Sequence, residues 1–282
     1  MGRLDLALGR ALALAIKHFL LALQFFTRVP VMGRLADWVG FSPAMLQASV
    51  VHFPGVGLLV GMVAAFVYTG ASLALPQGVY LPLVAAVISM VATVLMTGAF
   101  HEDGLADVAD GLGGTLPRER ALDVMKDSRL GTYGVLALVL AASLKLSLLA
   151  LLGSVVGLVQ VAAALVAAHS VSRFFPLLVI WRMTHVGDLA GSKSKPLADR
   201  IQSVGVLKGG AWAVLALSLA ASQWSVAGLL LAVLASAAGF AYMRAVFRRR
   251  LQGFTGDCLG ATQQVCEVAF YLGLCVACNL SA

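Results

Sequence analysis

The feature that most constrains this chain is a series of apolar runs, each long enough to cross a lipid bilayer as a helix. A helix rises about 1.5 Å per residue, so about twenty apolar residues cross the hydrocarbon region. The short run at 208–222 is expected to form a hairpin with the next one. We therefore predict an all-α, polytopic membrane helix bundle, a single integral membrane domain over residues 1–282. The seven runs are 54–75, 80–100, 134–153, 156–180, 208–222, 225–246 and 261–280.

The composition supports this prediction and excludes other classes of protein. Hydrophobic residues make up 60% of the chain and charged residues only 12%, about half the charged fraction of a soluble domain. The formal net charge is +7, but the basic residues lie in loops between apolar runs. Their placement indicates membrane orientation rather than binding to nucleic acid. No second ligand pair accompanies Cys275 and Cys278, so helix packing is favoured over a zinc or redox site.

Apart from Lys145 and Arg173, which lie inside runs, the lysine and arginine residues are grouped in alternate connections between the runs. The first 54 residues hold five, and the loops 101–133, 181–208 and 244–258 hold four, five and four. The short turns between the other runs and the C-terminal tail hold none. Because basic loops remain in the cytoplasm, we predict that the N-terminus and all three basic loops are cytoplasmic.

Residues 1–30 are predicted to lie on the membrane surface rather than to cross it. Arg3, Arg10, Lys17 and Gln24 recur every seven residues and form one polar stripe on an otherwise apolar helix. An amphipathic helix of this kind lies in the plane of the interface. Pro30 is expected to end it.

The acidic residues are concentrated in residues 100–134, directly after the second apolar run. This stretch contains seven of the 13 acidic residues of the chain. Asp103, Asp107 and Asp110 are spaced i, i+4 and i+7, so they share one face of a helix. A glycine-rich turn follows, and Asp123 and Asp127 are expected to share a face of a second helix. We predict a cytoplasmic acidic hairpin that brings these carboxylates together.

Carboxylates held so close repel one another unless a cation or shared protons lie between them. Oxygen ligands of this type suit Mg²⁺, which takes one or two carboxylates together with substrate phosphates. The predicted metal ligands are Asp103, Asp107, Asp110 and Asp127. A solvated acidic face on two surface helices is the alternative, and it remains open at this stage.

Three charged residues, Lys145, Arg173 and Glu267, lie inside predicted spans and away from the basic loops. Ionisable groups are unfavourable inside a membrane, which makes Glu267 a functional candidate. Arg173 is close enough to the cytoplasmic end for its side chain to reach the interface, which offers a purely structural account of it. Asp257 lies at the cytoplasmic start of the last span, level with the acidic hairpin.

Several motifs resemble signatures of the cobalamin synthase family, the adenosylcobinamide-GDP ribazoletransferases. They follow the family order along nearly the whole chain. The resemblance implies a Mg²⁺-dependent enzyme of the bacterial inner membrane with a cytoplasmic active site. The motifs are Phe26-Thr-Arg-Val-Pro30, Phe53-Pro-x-x-Gly57, His101-x-Asp-Gly-Leu-Ala-Asp-x-x-Asp-Gly111, Met125-Lys-Asp-Ser-Arg-Leu-Gly131, Ser172-Arg173, and Gly256-Asp-x-Leu-Gly-Ala261 with Glu267.

Members of that family transfer the cobinamide phosphate of adenosylcobinamide-GDP to α-ribazole, or to its 5′-phosphate, and release GMP. The resemblance therefore implies these two substrates and the lipid bilayer as partners, with other late cobalamin-pathway enzymes as candidates and no nucleic acid. For the base that accepts the hydroxyl proton, the candidates are Asp127, Asp123 and His101. The residues expected to contact substrate are Lys126, Arg129, Arg28, Arg173, Lys193, Lys195, Asp257 and Glu267.

Two other classes of protein share part of this pattern. The CDP-alcohol phosphotransferases carry a D-x-x-D-G…D-x-x-x-D motif, which Asp107 to Gly111 and Asp123 to Asp127 resemble. The Ala-Arg pair expected after the glycine is absent and the separation is shorter, so this family is the second choice. An ion-coupled transporter would place charges deep in several spans. Here the acids are grouped at one membrane face.

Overall fold

The computed structural model describes residues 2–187 and 200–280, with side chains from residue 8 onward. Lys193 and Lys195 lie outside the described residues. Within the described part of the chain there are twelve α-helices. They are α1 (Gly2–Phe26), α2 (Arg34–Val39), α3 (Pro43–Ser49), α4 (Phe53–Ala74), α5 (Leu81–Thr97), α6 (Phe100–Leu112), α7 (Arg118–Lys126), α8 (Thr132–Val155), α9 (Leu158–Arg182), α10 (Ser203–Ala220), α11 (Val226–Arg250) and α12 (Gly256–Leu280).

The prediction of an all-α, multi-pass membrane bundle is confirmed. In the described part of the chain, seven helices are long and apolar enough to cross a membrane. Six of them, α4 and α8 to α12, match predicted runs, and α10 begins at Ser203, earlier than the short run suggested. The seventh is the N-terminal helix from Leu8 to Phe26. The remaining predicted run, 80–100, corresponds to α5, which qualifies only together with α6.

The aromatic contacts of α1 bear on whether it crosses the membrane. Phe19 contacts the rings of His52 and Trp212, and Phe26 stacks on Phe53 with 4.1 Å between ring centroids. His52 and Phe53 lie at the start of α4, at the end of the bundle that carries α6, whereas Trp212 lies in the middle of α10. These contacts favour a helix that lies across that end, and the interfacial assignment of residues 1–30 stays a prediction.

A sharp bend separates α5 from α6 and turns the acidic helix away from the span. The two helix axes differ by 89°. Gly98 and Ala99 both adopt left-handed backbone conformations, with φ of 71° and 59°. Glycine adopts this conformation freely, whereas an alanine there costs about 1–2 kcal/mol. Because of the bend, α5 and α6 do not form one straight span.

The centre of the bundle is formed by α9 and α12, against which α4, α6 and α11 pack. The crossing of α6 and α12 is especially close because each helix contributes a glycine. A Cβ on Gly104 would lie 2.7 Å from the carbonyl oxygen of Asp257, and one on Gly260 would lie 3.1 Å from that of His101. This close approach fixes the start of α12 beside the acidic face of α6.

Hydrogen bonds connect α6, α7 and the turn between them to the end of α11. Arg250, at the end of α11, donates to the carbonyl oxygens of Leu112 and Leu116 at 2.9 and 3.3 Å. The Arg118 Nε donates in turn to the carbonyl oxygen of Leu251 at 2.7 Å. The bonds to Leu112 and Leu251 satisfy carbonyl groups that the end of a helix leaves without partners, and the bond to Leu116 holds the connection between α6 and α7. They hold α6 and α7 against the bundle.

Candidate active site

The acidic helix α6 forms where the spacing predicted it, with one face in the core and the other toward solvent. His101, Leu105, Val108 and Leu112 are buried on the core side. Asp103 is exposed, and Asp107 and Asp110 are half-buried. The close crossing with α12 adds Asp257 to this group. These four carboxylates, Asp103, Asp107, Asp110 and Asp257, are called the acidic cluster below.

Asp107 is the member whose ionisation the cluster affects most. Partial burial, followed by the negative charges of Asp257, Asp103 and Asp110, raises the pKa of its carboxyl group to about 7. Both causes disfavour the ionised form, and a bound cation would reverse the second of them. Asp257 was predicted to contact substrate. Its place beside Asp107 and Asp103 gives it the position of a possible metal ligand as well.

Asp110 also has a defined role within the protein. Its carboxylate accepts hydrogen bonds from the backbone N–H groups of Gly131 and Gly134, both at 2.8 Å. These groups lie at the N-terminus of α8, where a negative charge is favourable. Each oxygen atom retains a further lone pair, so the capping role leaves the predicted metal ligation untested.

The second half of the predicted hairpin differs from expectation. The helix α7 ends at Lys126, and Asp127 follows it in an extended conformation. The prediction that Asp123 and Asp127 share one helix face is therefore wrong, because the helix stops one residue too early. Asp123, Lys126 and Arg129 are exposed, and their assigned roles stay predictions.

Asp127 is paired with Arg129 rather than with the α6 acids. Its Oδ1 accepts from the Arg129 backbone N–H and from Nε, both at 3.0 Å. The side-chain hydrogen bond, then the backbone one, lowers the pKa of Asp127 to about 2. Across the described residues, no three His, Cys, Asp or Glu side chains already converge as ligands of one ion. The metal-ligand assignments stay predictions.

His101 lies behind the acidic face and not on it. Its ring is only 1% exposed and stacks on Phe53 with 5.5 Å between centroids and an interplanar angle of 7°. Burial, followed by the positive charge of Arg173, holds its pKa well below the usual value. Its Nε2 is buried without a hydrogen-bond partner among the described residues. Its proposed role as a base would require a change in this packing.

Arg173 and Glu267, predicted to contact substrate, are buried in an ionic network between helices. The Glu267 carboxylate lies 2.5 Å from Lys145 Nζ and 3.5 Å from His169 Nδ1. Gln263 donates to it at 2.6 Å. Arg173 donates to the His169 carbonyl oxygen at 2.9 Å. The two residues are 2% and 1% exposed, which suits positioning of the helices better than contact with a ligand.

This network reaches the acidic helix through polar side chains of α12. Gln264 donates to Glu102 Oε1 at 3.0 Å and to the Gln263 side-chain oxygen at 3.0 Å. Glu102 lies on α6 next to Asp103. Lys145 and His169 were not assigned a role from the sequence. The signal available for Lys145 was a cation inside an apolar run, which calls for a buried carboxylate partner.

Arg28 lies at the bend between α5 and α6. Its backbone N–H donates to the Met96 carbonyl oxygen at 2.7 Å, and its guanidinium group lies over Gly98. The side chain is exposed at the same membrane face as the acidic helix. Its predicted contact with substrate stays a prediction.

Comparison with known proteins gives consistent matches over most of the chain. Residues 18–275 match a family model described as cobalamin-5-phosphate synthase. A protein of Polaromonas naphthalenivorans (strain CJ2), named adenosylcobinamide-GDP ribazoletransferase, is 57% identical over 273 residues, covering 93% of this chain and 98% of that protein. A protein of the same name from Leptothrix cholodnii (strain ATCC 51168 / LMG 8142 / SP-6) is 46% identical over 259 residues, 90% of this chain and 93% of that protein. No solved structure matches the chain.

Proposed function

The chain belongs to the cobalamin-5-phosphate synthase family and is a transferase, and we propose that it performs the reaction for which its relatives are named. In this proposal it transfers the cobinamide phosphate of adenosylcobinamide-GDP to α-ribazole, or to the 5′-phosphate of α-ribazole. GMP is the leaving group. The ribazole hydroxyl forms a new P–O bond as the bond to GMP breaks, and the hydroxyl proton passes to a base.

The observation that carries the proposal is the acidic cluster at one face of the bundle. Joining two phosphate-bearing molecules requires negative charge to be neutralised, and the cluster is itself negative. The residues present fit a divalent cation, since hard oxygen ligands are what Mg²⁺ selects. Burial, followed by repulsion from the other acids, raises the pKa of Asp107, and a cation would remove the repulsion. Asp103, Asp107 and Asp257 would hold it, with Asp110 beside them. When bound, Mg²⁺ neutralises charge on the phosphates.

The residues at the end of α7 and just after it are suited to hold the substrate phosphates. Lys126, the last residue of α7, and Arg129, three residues later, are exposed and basic. A phosphate that takes the guanidinium group of Arg129 would compete with Asp127 for the same donors. Asp127 would then lose the contacts that lower its pKa and become a stronger base. This exchange couples substrate binding to the activation of Asp127 as acceptor of the hydroxyl proton.

The membrane setting follows from the same arrangement. The described basic residues at the ends of α9 and α11 lie at the same end of the bundle as the acidic helix, and basic loops remain in the cytoplasm. We propose the bacterial inner membrane, with the N-terminus and the active site cytoplasmic. A large, partly apolar corrinoid could then rest against the helices while its phosphates reach the acidic cluster.

The direct test uses purified protein in detergent with Mg²⁺, adenosylcobinamide-GDP and α-ribazole. We expect GMP release that requires both substrates and stops when EDTA removes the metal. Asp107→Asn should lower the rate about 100-fold or more, because a charged ligand at the transferred group is lost. Full activity of a folded Asp107→Asn protein would exclude the acidic cluster as the site. Release of CMP from a CDP-lipid would instead identify a CDP-alcohol phosphotransferase.

A further inference from the structure

A large cavity lies at the same end of the bundle as the acidic cluster but is built from other helices. It is open to the surface and lined by α1, by α3 with His52, and by the first half of α10, and its volume is about 820 Å³. This is within the range of small-molecule sites. The proposed transfer reaction assigns it no role. We call it the α1–α10 cavity.

The polar groups of the α1–α10 cavity are basic or neutral. His18, His52, Arg200 and Lys208 line it, and the described lining residues include no Asp or Glu. The charges acting on His52 are those of His18 and Lys208, so these three groups lie close together without a carboxylate between them. Among the described lining residues, Lys208 and Arg200 carry the positive charge, the two imidazole rings add hydrogen-bonding groups and no carboxylate is present. This arrangement favours a bound anion.

One hydrogen bond fixes how the imidazole of His52 can act in this cavity. The indole Nε1 of Trp212 donates to His52 Nδ1 at 3.2 Å. Because Nδ1 accepts, the proton of the neutral ring is on Nε2. His52 therefore keeps an N–H donor even when uncharged. An N–H donor beside the Lys208 ammonium group matches the oxygen atoms of a phosphate.

The rest of the cavity lining is apolar, and it is continuous with the exposed apolar surface of α1. Leu14, Val51 and Ile201 contribute to its lining. On the outer face of α1, Leu8 and Leu12 are 71% and 62% exposed. In a bilayer, acyl chains would cover these side chains. A free phosphate ion would occupy only the basic end and leave the apolar part empty.

We propose that the α1–α10 cavity binds an anionic phospholipid, with its phosphate between Lys208, His18 and His52 and its acyl chains along α1. The occupant is a lipid rather than a soluble phosphate because the cavity combines a basic end with an apolar lining beside a lipid-facing helix. Such a lipid would fix α1 against α3 and α10. The proposal does not depend on which reaction the acidic cluster performs.

The experiment measures lipid bound to the purified, delipidated full-length protein by native mass spectrometry, with phosphatidylglycerol and phosphatidylcholine as probes. We expect phosphatidylglycerol to bind more tightly than phosphatidylcholine. Lys208→Gln should lower the affinity for phosphatidylglycerol about fivefold, which is the effect expected from one basic group near an anionic headgroup. Lys208→Arg should retain the affinity. Arg249→Gln is the matched control, because Arg249 is an exposed cation at the same membrane face and outside the cavity.

Three outcomes would overturn the proposal. The first is equal binding of the two lipids. The second is an equal loss of affinity for phosphatidylglycerol in Lys208→Gln and Arg249→Gln, which would indicate that the basic face attracts anionic lipid without a specific site. The third is displacement of phosphatidylglycerol by millimolar inorganic phosphate or GMP with the same dependence on Lys208, which would assign the cavity to a soluble phosphate. Circular dichroism of each variant establishes that the helices are intact.

Discussion

At the residue scale, Asp107 is the acid whose ionised form is most disfavoured by its surroundings in the acidic cluster. Its carboxyl group is partly buried and faces Asp103, Asp110 and Asp257, so its ionised form is disfavoured and its pKa is about 7. Without a cation, ionisation works against folding. In the proposed site, a cation would remove this repulsion by binding Asp103, Asp107 and Asp257. A residue chosen for stability alone would not be an aspartate here, which is the pattern expected at a functional site.

The pH dependence of stability follows from this raised pKa. Asp107 binds a proton in the folded protein up to a pH of about 7, and in the unfolded chain only up to about 4. Between these values the folded state holds more protons, so its stability falls as the pH rises through this window. In EDTA, Asp107→Asn should therefore raise the Tm at pH 8 and leave it almost unchanged at pH 4. An equal shift at both values would contradict the assigned pKa.

The affinity for Mg²⁺ should also depend on pH, and it should rise as the pH rises. A cation that binds the ionised cluster must displace the proton that Asp107 holds below a pH of about 7. We expect the apparent affinity for Mg²⁺ to increase from pH 6 to pH 8, most steeply below pH 7, because Asp107 must release its proton there. Calorimetric titration in two buffers of different ionisation enthalpy measures the proton released. Binding that releases no proton at pH 6 would exclude Asp107 as a ligand.

At the element scale, the crossing of α6 and α12 determines whether the cluster exists. The spacing of acids predicted the exposed face of α6, because a single helix fixes the directions of its own side chains. It predicted neither the 89° bend nor the end of α7 at Lys126. The bend rests on Ala99 adopting a left-handed conformation that alanine disfavours. The end of α7 coincides with the Asp127–Arg129 pairing, a competing local contact.

A substitution at Gly104 tests whether the close α6–α12 crossing is required for stability and for the metal site. In Gly104→Ala the new Cβ would meet the Asp257 carbonyl oxygen at 2.7 Å, and backbone atoms cannot move aside as a side chain can. We expect a loss of about 1–3 kcal/mol in the free energy of unfolding and a weaker Mg²⁺ site as α12 is pushed away. Thermal unfolding and Mg²⁺ titration measure both effects.

Gly70→Ala is the matched control for that substitution. Gly70 lies inside α4 with nothing within 4 Å of the position its Cβ would occupy. There alanine should stabilise the helix by about 0.5–1 kcal/mol, since it replaces the less favourable glycine without a clash. If both variants gave the same change in Tm, packing at the α6–α12 crossing would not be what Gly104 provides.

At the scale of the whole molecule, a buried ionic network joins the spans to the acidic helix. It links Lys145 on α8, His169 and Arg173 on α9, and Glu267 on α12, with Gln264 extending it to Glu102 on α6. The sequence placed three charges inside spans, but it could not pair them, because the partners are far apart along the chain. Only the packing of α8, α9 and α12 brings them together.

A double-mutant cycle measures how much Lys145 and Glu267 depend on each other. Lys145→Met leaves the Glu267 carboxylate buried without its cation, which should cost about 3–5 kcal/mol. Glu267→Gln in the same chain removes the uncompensated charge and should restore part of that loss. Unfolding in detergent measures the free energy of unfolding of the original protein, the two single variants and the double variant. Additive single effects would mean that the two groups are not coupled.

The orientation of the bundle gives the last prediction, which depends on every span being counted correctly. Arg120 on α7 and Gly78 in the turn between α4 and α5 are both exposed, and α5 separates them. In a variant with its four native cysteines replaced by alanine, we introduce one cysteine at either position. In intact bacterial cells, a membrane-impermeant maleimide should label position 78 and not position 120, whereas both should react after lysis. Labelling of position 120 in intact cells would place the acidic cluster outside, away from any cytoplasmic nucleotide, and the proposed reaction would then lose its substrate.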